Sequence, residues 1–164
     1  MFDGIALLSA ANQPTFAKAR AFVAQCAVLL DASGQLPVTH FAFSHFYKHA
    51  PYLCVLGVIN DGEDFEIRLA GTRLVAEFLG ADPTGTKLSQ ILSDDEFGKR
   101  SWHIVRETVR TKHPVLNQPG RTRLKSKDYM RLETVNVPLF DEAGRVVKVA
   151  SFYAYLFEKQ PATV

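Results

Sequence analysis

Cysteine and an excess of either charge are scarce in this chain, and each scarcity removes a class of function. Cys26 and Cys54 are the only cysteines, and they lie far apart, without CxxC spacing, among apolar neighbours. Neither a disulfide framework nor a thiolate metal centre is expected; two reduced thiols in a reducing compartment are. Lys and Arg number 19 against 17 Asp and Glu, for a net charge of +2, too even a balance for the basic face of a nucleic-acid binder. One local run, Arg121, Arg123, Lys125 and Lys127, alternates basic residues and reads as a solvated hairpin edge. No apolar run approaches the roughly 18 residues of a membrane span. The start, Met1-Phe2-Asp3-Gly4-Ile5, lacks the basic stretch of a secretion signal, so the cytoplasm is the expected location. There is no serine elbow, phosphate loop, dinucleotide fingerprint or HExxH spacing. Residues 80–87 come nearest to a phosphate loop, but Pro83 interrupts them. Covalent catalysis is not expected.

What is present is core material. Hydrophobic residues make up 47% of 164, with twelve Phe, enough for one domain with its own core. Asn12-Gln13-Pro14 offers a helix start, and Phe16, Ala19, Phe22, Val23, Cys26, Leu29 and Leu30 recur at helical steps to about Ala32, giving one apolar stripe. A short helix over residues 39–49 follows. Residues 52–59 are a continuous apolar, β-branched run, and Asn60-Asp61-Gly62-Glu63-Asp64 turns the chain into Phe65-Glu66-Ile67-Arg68-Leu69, a hairpin pattern. Short helices over 73–79 and near Leu88, Ile91 and Leu92 lead to a longer one, which Asp94 or Asp95 can cap and which ends near Lys112. Its inward positions would include Phe97, Trp102, Val105, Thr108 and Val109. The period then changes to two, and strands are expected over 115–124, 129–140 and 145–157. The last is apolar on both faces and needs cover on both. This order predicts an α+β domain with a five-stranded antiparallel sheet, short helices on one face and an N-terminal amphipathic helix.

The element order resembles a PAS fold, and residues 36–156 resemble the PAS-like family common in alphaproteobacterial proteins. The carrying residues are Leu36-Pro37, the block Asp64-Phe65-Glu66-Ile67-Arg68-Leu69-Ala70-Gly71-Thr72 matching "DFxxRLxGT", then Gly80 with Pro83-Thr84-Gly85-Thr86, and Glu133 to Leu139. The division that follows is a helical leader over 1–35, a PAS-like domain over 36–157 and a tail over 158–164. The resemblance implies a sensory or signal-transduction module that binds a protein partner or a small ligand and forms a homodimer through its leader helix, at Phe16, Phe22, Val23 and Leu29. No attached kinase, cyclase or DNA-binding segment is expected, nor are membrane or nucleic-acid partners.

Within such a module, Arg68 and Glu133 fall on strands in apolar sequence, so each must reach solvent or a partner, and they could pair with each other. Each is also a candidate ligand contact. Thr72 follows Gly71 as a helix cap or at the cavity mouth. Trp102 and His103 sit on the longer helix, from which haem-binding PAS proteins supply an imidazole. No second ligand or haem motif accompanies His103, and the flavin photoreceptors' "NCRFLQ" segment is missing, so neither haem nor flavin is expected. His40, His45 and His49 lack partners at ligand spacing, and no metal is expected. A ligand cavity would be lined by Leu56, Trp102, Val105 and Phe152. The alternative is a small α+β enzyme of ketosteroid-isomerase type, with Glu133 as its pocket carboxylate.

Overall fold

A computed structural model of the chain describes residues 2–92, 94–121 and 130–158, with Arg121 described by its backbone alone. In chain order the elements are β1 (Ile5–Leu7), α1 (Ala17–Ala27), β2 (Leu36–Pro37), α2 (Phe43–Phe46), β3 (Leu53–Ile59), β4 (Asp64–Ala70), α3 (Thr72–Leu74), α4 (Leu88–Ile91), α5 (Glu96–Thr111), β5 (Val115–Arg121), β6 (Met130–Phe140) and β7 (Val146–Phe157). After α3 the helix widens into one π-helical turn over Val75–Leu79, which stops at Gly80 with φ 74°.

The central strands run β5-β6-β7-β3-β4, all antiparallel to their neighbours. This is a PAS-like α+β fold: a hairpin at one side, the helices in the crossover, and three C-terminal strands that return to the middle of the sheet. Two short strands extend the five expected. β1 adds to β5, with Ile5 opposite Asn117, and β2 runs parallel to the end of β6, with Leu36 opposite Leu139. Strands of two and three residues are too short to display a period, so the sequence pattern could not announce them.

Both faces are covered. On one, Ala19, Phe22 and Cys26 of α1 pack with Phe46, Val135, Val137, Phe152 and Ala154. Phe22 stacks on Phe152 with ring centroids 4.9 Å apart and planes 12° apart. On the other, Leu56, Phe65, Ile67, Leu88, Val105 and Val149 form a second cluster under α4 and α5. The leader is therefore part of the fold, joined to the domain through β1 and the face of α1.

Several expected elements are shorter than their sequence patterns. α1 ends at Ala27, because the Asp31 carboxylate accepts from the Ser33 and Gln35 amides and Gly34 takes φ 80°, which closes a turn before the apolar steps end. The helix expected over 39–49 is a single turn at α2 between two 3-10 turns. The basic run beyond Arg121 and the tail beyond Glu158 lie outside the described residues.

Candidate functional site

A cavity opens between the sheet and α5, in two chambers. The inner one, about 150 Å³, is apolar, with Leu56, Ile67, Leu74, Phe78, Leu88 and Val105 among its walls. The outer one, about 500 Å³, is walled by Arg100, Asn117, Leu132, Thr134 and Asn136, with Asp3 and Gly4 at its lip. Phe97, Ser101, Val105 and Tyr153 line both and mark the passage.

Strand geometry explains the polar wall. Alternate residues of β6 face opposite sides of the sheet, so Leu132, Thr134 and Asn136 face the cavity while Val135 and Val137 face α1. Asn117 of β5 lies opposite Thr134, and Ser151 of β7 opposite Asn136. The result is a row of neutral hydrogen-bonding side chains across three strands, all buried. Such groups at central strand positions carry a desolvation cost unless each is bonded. Asn136 Nδ2 donates to Val115 O and Thr134 Oγ1, each at 3.3 Å. Arg100 donates from Nε and Nη2 to Asn117 Oδ1 at 3.0 and 2.6 Å, and from Nη2 to Asp3 O at 2.5 Å. Ser151 Oγ is buried with no hydrogen-bond partner among the described residues. It lies opposite Cys54 of β3, a wall residue of the inner chamber, on one side, and opposite Asn136 on the other.

Burial raises the Tyr153 phenol well above the ordinary tyrosine range, with Cys54 adding to the rise. Tyr153 is therefore a neutral hydroxyl able to donate or accept. Burial likewise pushes the Cys54 thiol, and the Cys26 thiol on the other face, up to about 12. Both cysteines are free, and a protonated thiol in an apolar wall is a poor nucleophile.

The residues singled out from sequence fall in several places. Glu133, fully buried, faces α1 and not the cavity: its carboxylate accepts from the Thr15 amide at 2.7 Å and the Phe16 amide at 2.9 Å. It is the N-terminal cap of α1, supplied from a distant strand where no local side chain caps that helix. The expected Arg68–Glu133 pair does not form. Arg68 is exposed and pairs with Glu66 at 3.0 Å, because the outward side of β4 gives it water and a neighbouring carboxylate. Thr72 is not a cap: Gly71 holds that position, and Thr72 is the exposed first residue of α3.

Trp102 and His103 are turned away from the chambers into a separate groove along α5. Trp102 meets Phe65 edge-on at 5.7 Å, and His103 lies 5.4 Å from Phe2. The helix presents Phe97, Ser101 and Val105 to the cavity instead, a four-residue repeat that the apolar pattern obscured because Ser101 is polar. Of the expected cavity walls, Leu56 and Val105 are present, and Phe152 lies on the opposite face against Phe22. Phe22, read as a dimer contact, is fully buried in its own chain, and Phe16, Val23 and Leu29 pack against the same core. The described residues hold no group of three or more His, Cys, Asp and Glu able to bind a metal ion, and no described helix is long and apolar enough to cross a membrane.

The sequence reading missed Asn117, Thr134, Asn136 and Ser151. Their signal was there: within strands read as apolar, the polar residues 134 and 136 share one parity.

No family model matches the chain, and no curated protein matches it. Among solved structures it is similar to a Trp-to-Ala variant of the Drosophila melanogaster Cycle PAS-B domain with bound glycerol, at 14% identity and TM-score 0.44, over 63% of this chain and 98% of that one. It is also similar to an RNA-binding light-oxygen-voltage receptor, at 14% identity and TM-score 0.46, over 77% of this chain and 35% of that one. The assignment to the PAS-like fold rests on the strand order and register given above.

Proposed function

We propose that this chain is a PAS-type sensory module that takes a small, uncharged, amphipathic molecule into the cavity between the sheet and α5. The observation that carries this reading is the buried neutral row of Asn117, Thr134, Asn136 and Ser151, which includes a hydroxyl without a partner among the described residues. A purely structural core would place apolar side chains at those central strand positions. A ligand with hydrogen-bonding groups at one end would meet this row, and its apolar end would enter the inner chamber beside Leu56 and Val105. Binding is favoured over proton-transfer chemistry because the carboxylate on which the isomerase alternative depended, Glu133, caps α1 on the other face. Asp3 at the exposed lip is the one carboxylate among the residues lining the chambers.

Thermal-shift screening of uncharged metabolites, followed by native mass spectrometry, tests the proposal. A ligand that raises Tm should lose at least tenfold in affinity with Asn136→Leu, since a polar member of the row is replaced by an apolar side chain and Thr134 Oγ1 loses its donor. If no uncharged compound binds, or if binding ignores Asn136→Leu, the reading fails.

Dimerisation, if it accompanies sensing, has to use outward side chains. Val28, Leu30, Phe43 and Tyr47 are exposed, and the segments that carry them are tied together where His40 Nδ1 lies 2.8 Å from Leu29 O. We propose that this apolar patch, in place of the buried stripe of α1, forms the homodimer contact.

A further inference from the structure

We infer that the groove along the outer side of α5 is a second ligand site, for a phosphate-bearing anion that also carries a flat ring, the chemical class of mononucleotides. The groove encloses about 610 Å³ and shares no lining residue with either chamber of the cavity. It is independent of the sensory reading. Arg106 and Arg110 enter it from α5, Lys112 from the end of that helix and Arg145 from the turn before β7, against two carboxylates, Asp61 and Glu107. Glu107 is already held by Arg110, with Arg110 Nε 3.0 Å from Oε2, and Arg145 is tethered from outside the groove by Asp141 at 3.0 Å. Arg106 is exposed and makes no ion pair or hydrogen bond among the described residues. Four cations therefore converge on one compact depression, three from α5 and its end and one from the turn before β7, which suits a localised phosphate better than an extended acidic chain.

The floor supplies the second half of the recognition. Trp102 lines it, partly buried and meeting Phe65 edge-on, which offers a planar ring an aromatic partner while its phosphate reaches the guanidinium groups. The backbone is also unusual there. Of the three non-glycine residues with positive φ among those described, Asn60, Asp61 and Lys112, at 45°, 57° and 54°, Asp61 and Lys112 line this groove and Asn60 directly precedes Asp61. Lys112 occupies the left-handed position after a long helix that glycine usually takes, and a lysine placed there brings a charge to the rim that glycine would not. Strain gathered at one concave site is a signature of function.

Trp102 is the single tryptophan of the chain, so its fluorescence reports this groove directly. The intact protein should be titrated with AMP, inorganic phosphate, adenosine and a short poly-glutamate peptide. AMP should quench Trp102 saturably, with affinity falling as salt is raised. Phosphate and adenosine should each bind at least tenfold more weakly than AMP. Arg106→Ala, a surface change, should weaken AMP at least fivefold at unchanged Tm. No quenching by AMP at millimolar concentration, equal affinity for AMP and phosphate, an unaffected Arg106→Ala variant, or tighter binding of the acidic peptide would each overturn the assignment.

Discussion

At Gly71 an added Cβ would lie 2.3 Å from the carbonyl oxygens of both Ala50 and Pro51, while the Gly71 amide donates to Leu53 O at 2.7 Å. Its φ of −62° is open to any residue, so space and not conformation demands glycine. Backbone atoms on both sides cannot move aside as a flexible side chain would. Gly71→Ala should therefore fall in the exceptional class of about 4 kcal/mol or more, read from urea unfolding; a variant with the wild-type midpoint would contradict the close approach. The same glycine belongs to the block that carries the PAS resemblance, which gives that part of the motif a packing role at the start of α3. Arg68 and Thr72 of the block are exposed, and neither lines a chamber of the cavity.

Among the elements, α1 depends on a cap from elsewhere. An 11-residue helix is marginal by itself in water, and this one has no acidic residue in its first turn and no side-chain cap of its own. Glu133 provides both charge and acceptors at the end where the helix dipole is positive. Glu133→Ala removes the acceptor of the part-buried Thr15 and Phe16 amides and should cost about 1–3 kcal/mol, with Glu133→Gln less harmful because one acceptor oxygen remains. Hydrogen exchange should speed up at the Thr15 and Phe16 amides in the Ala variant; unchanged protection there would mean that α1 is held by Phe22 and its neighbours alone. The strand that carries Glu133 also carries Thr134 on the cavity side. β6 therefore touches α1 with one residue and lines the chamber with the next.

Over the whole molecule, burial decides which surfaces remain for partners. The apolar stripe of α1 is spent on the sheet, and the two-sided burial expected for β7 extends to β6, where ten of eleven residues are buried. Apolar side chains left outside concentrate at Val28, 74% exposed, and Phe43, 69% exposed. A dimer through them should appear as doubled mass in light scattering and revert to a monomer in the double variant Val28→Asp, Phe43→Asp. A wild-type monomer at high concentration would remove the dimer proposal, without affecting the cavity or the groove.

Order and period were legible without coordinates. The change from helical steps to alternation after residue 115 gave the three C-terminal strands, the Asn60–Asp64 turn gave the β3–β4 hairpin, and Asp95 did cap α5, accepting from the Gly98 amide at 2.8 Å. These features depend on neighbours in sequence, where local propensity and side-chain spacing act. The site was not legible in the same way. Glu133 meets Thr15 across 118 positions, Ser101 turns inward because α5 rotates to bury Ile104 and Thr108, and Trp102 is carried outward by the same rotation. Alternation says that a strand has two faces but not which one meets a helix and which a cavity, and only the packing of distant elements against each other settles that choice.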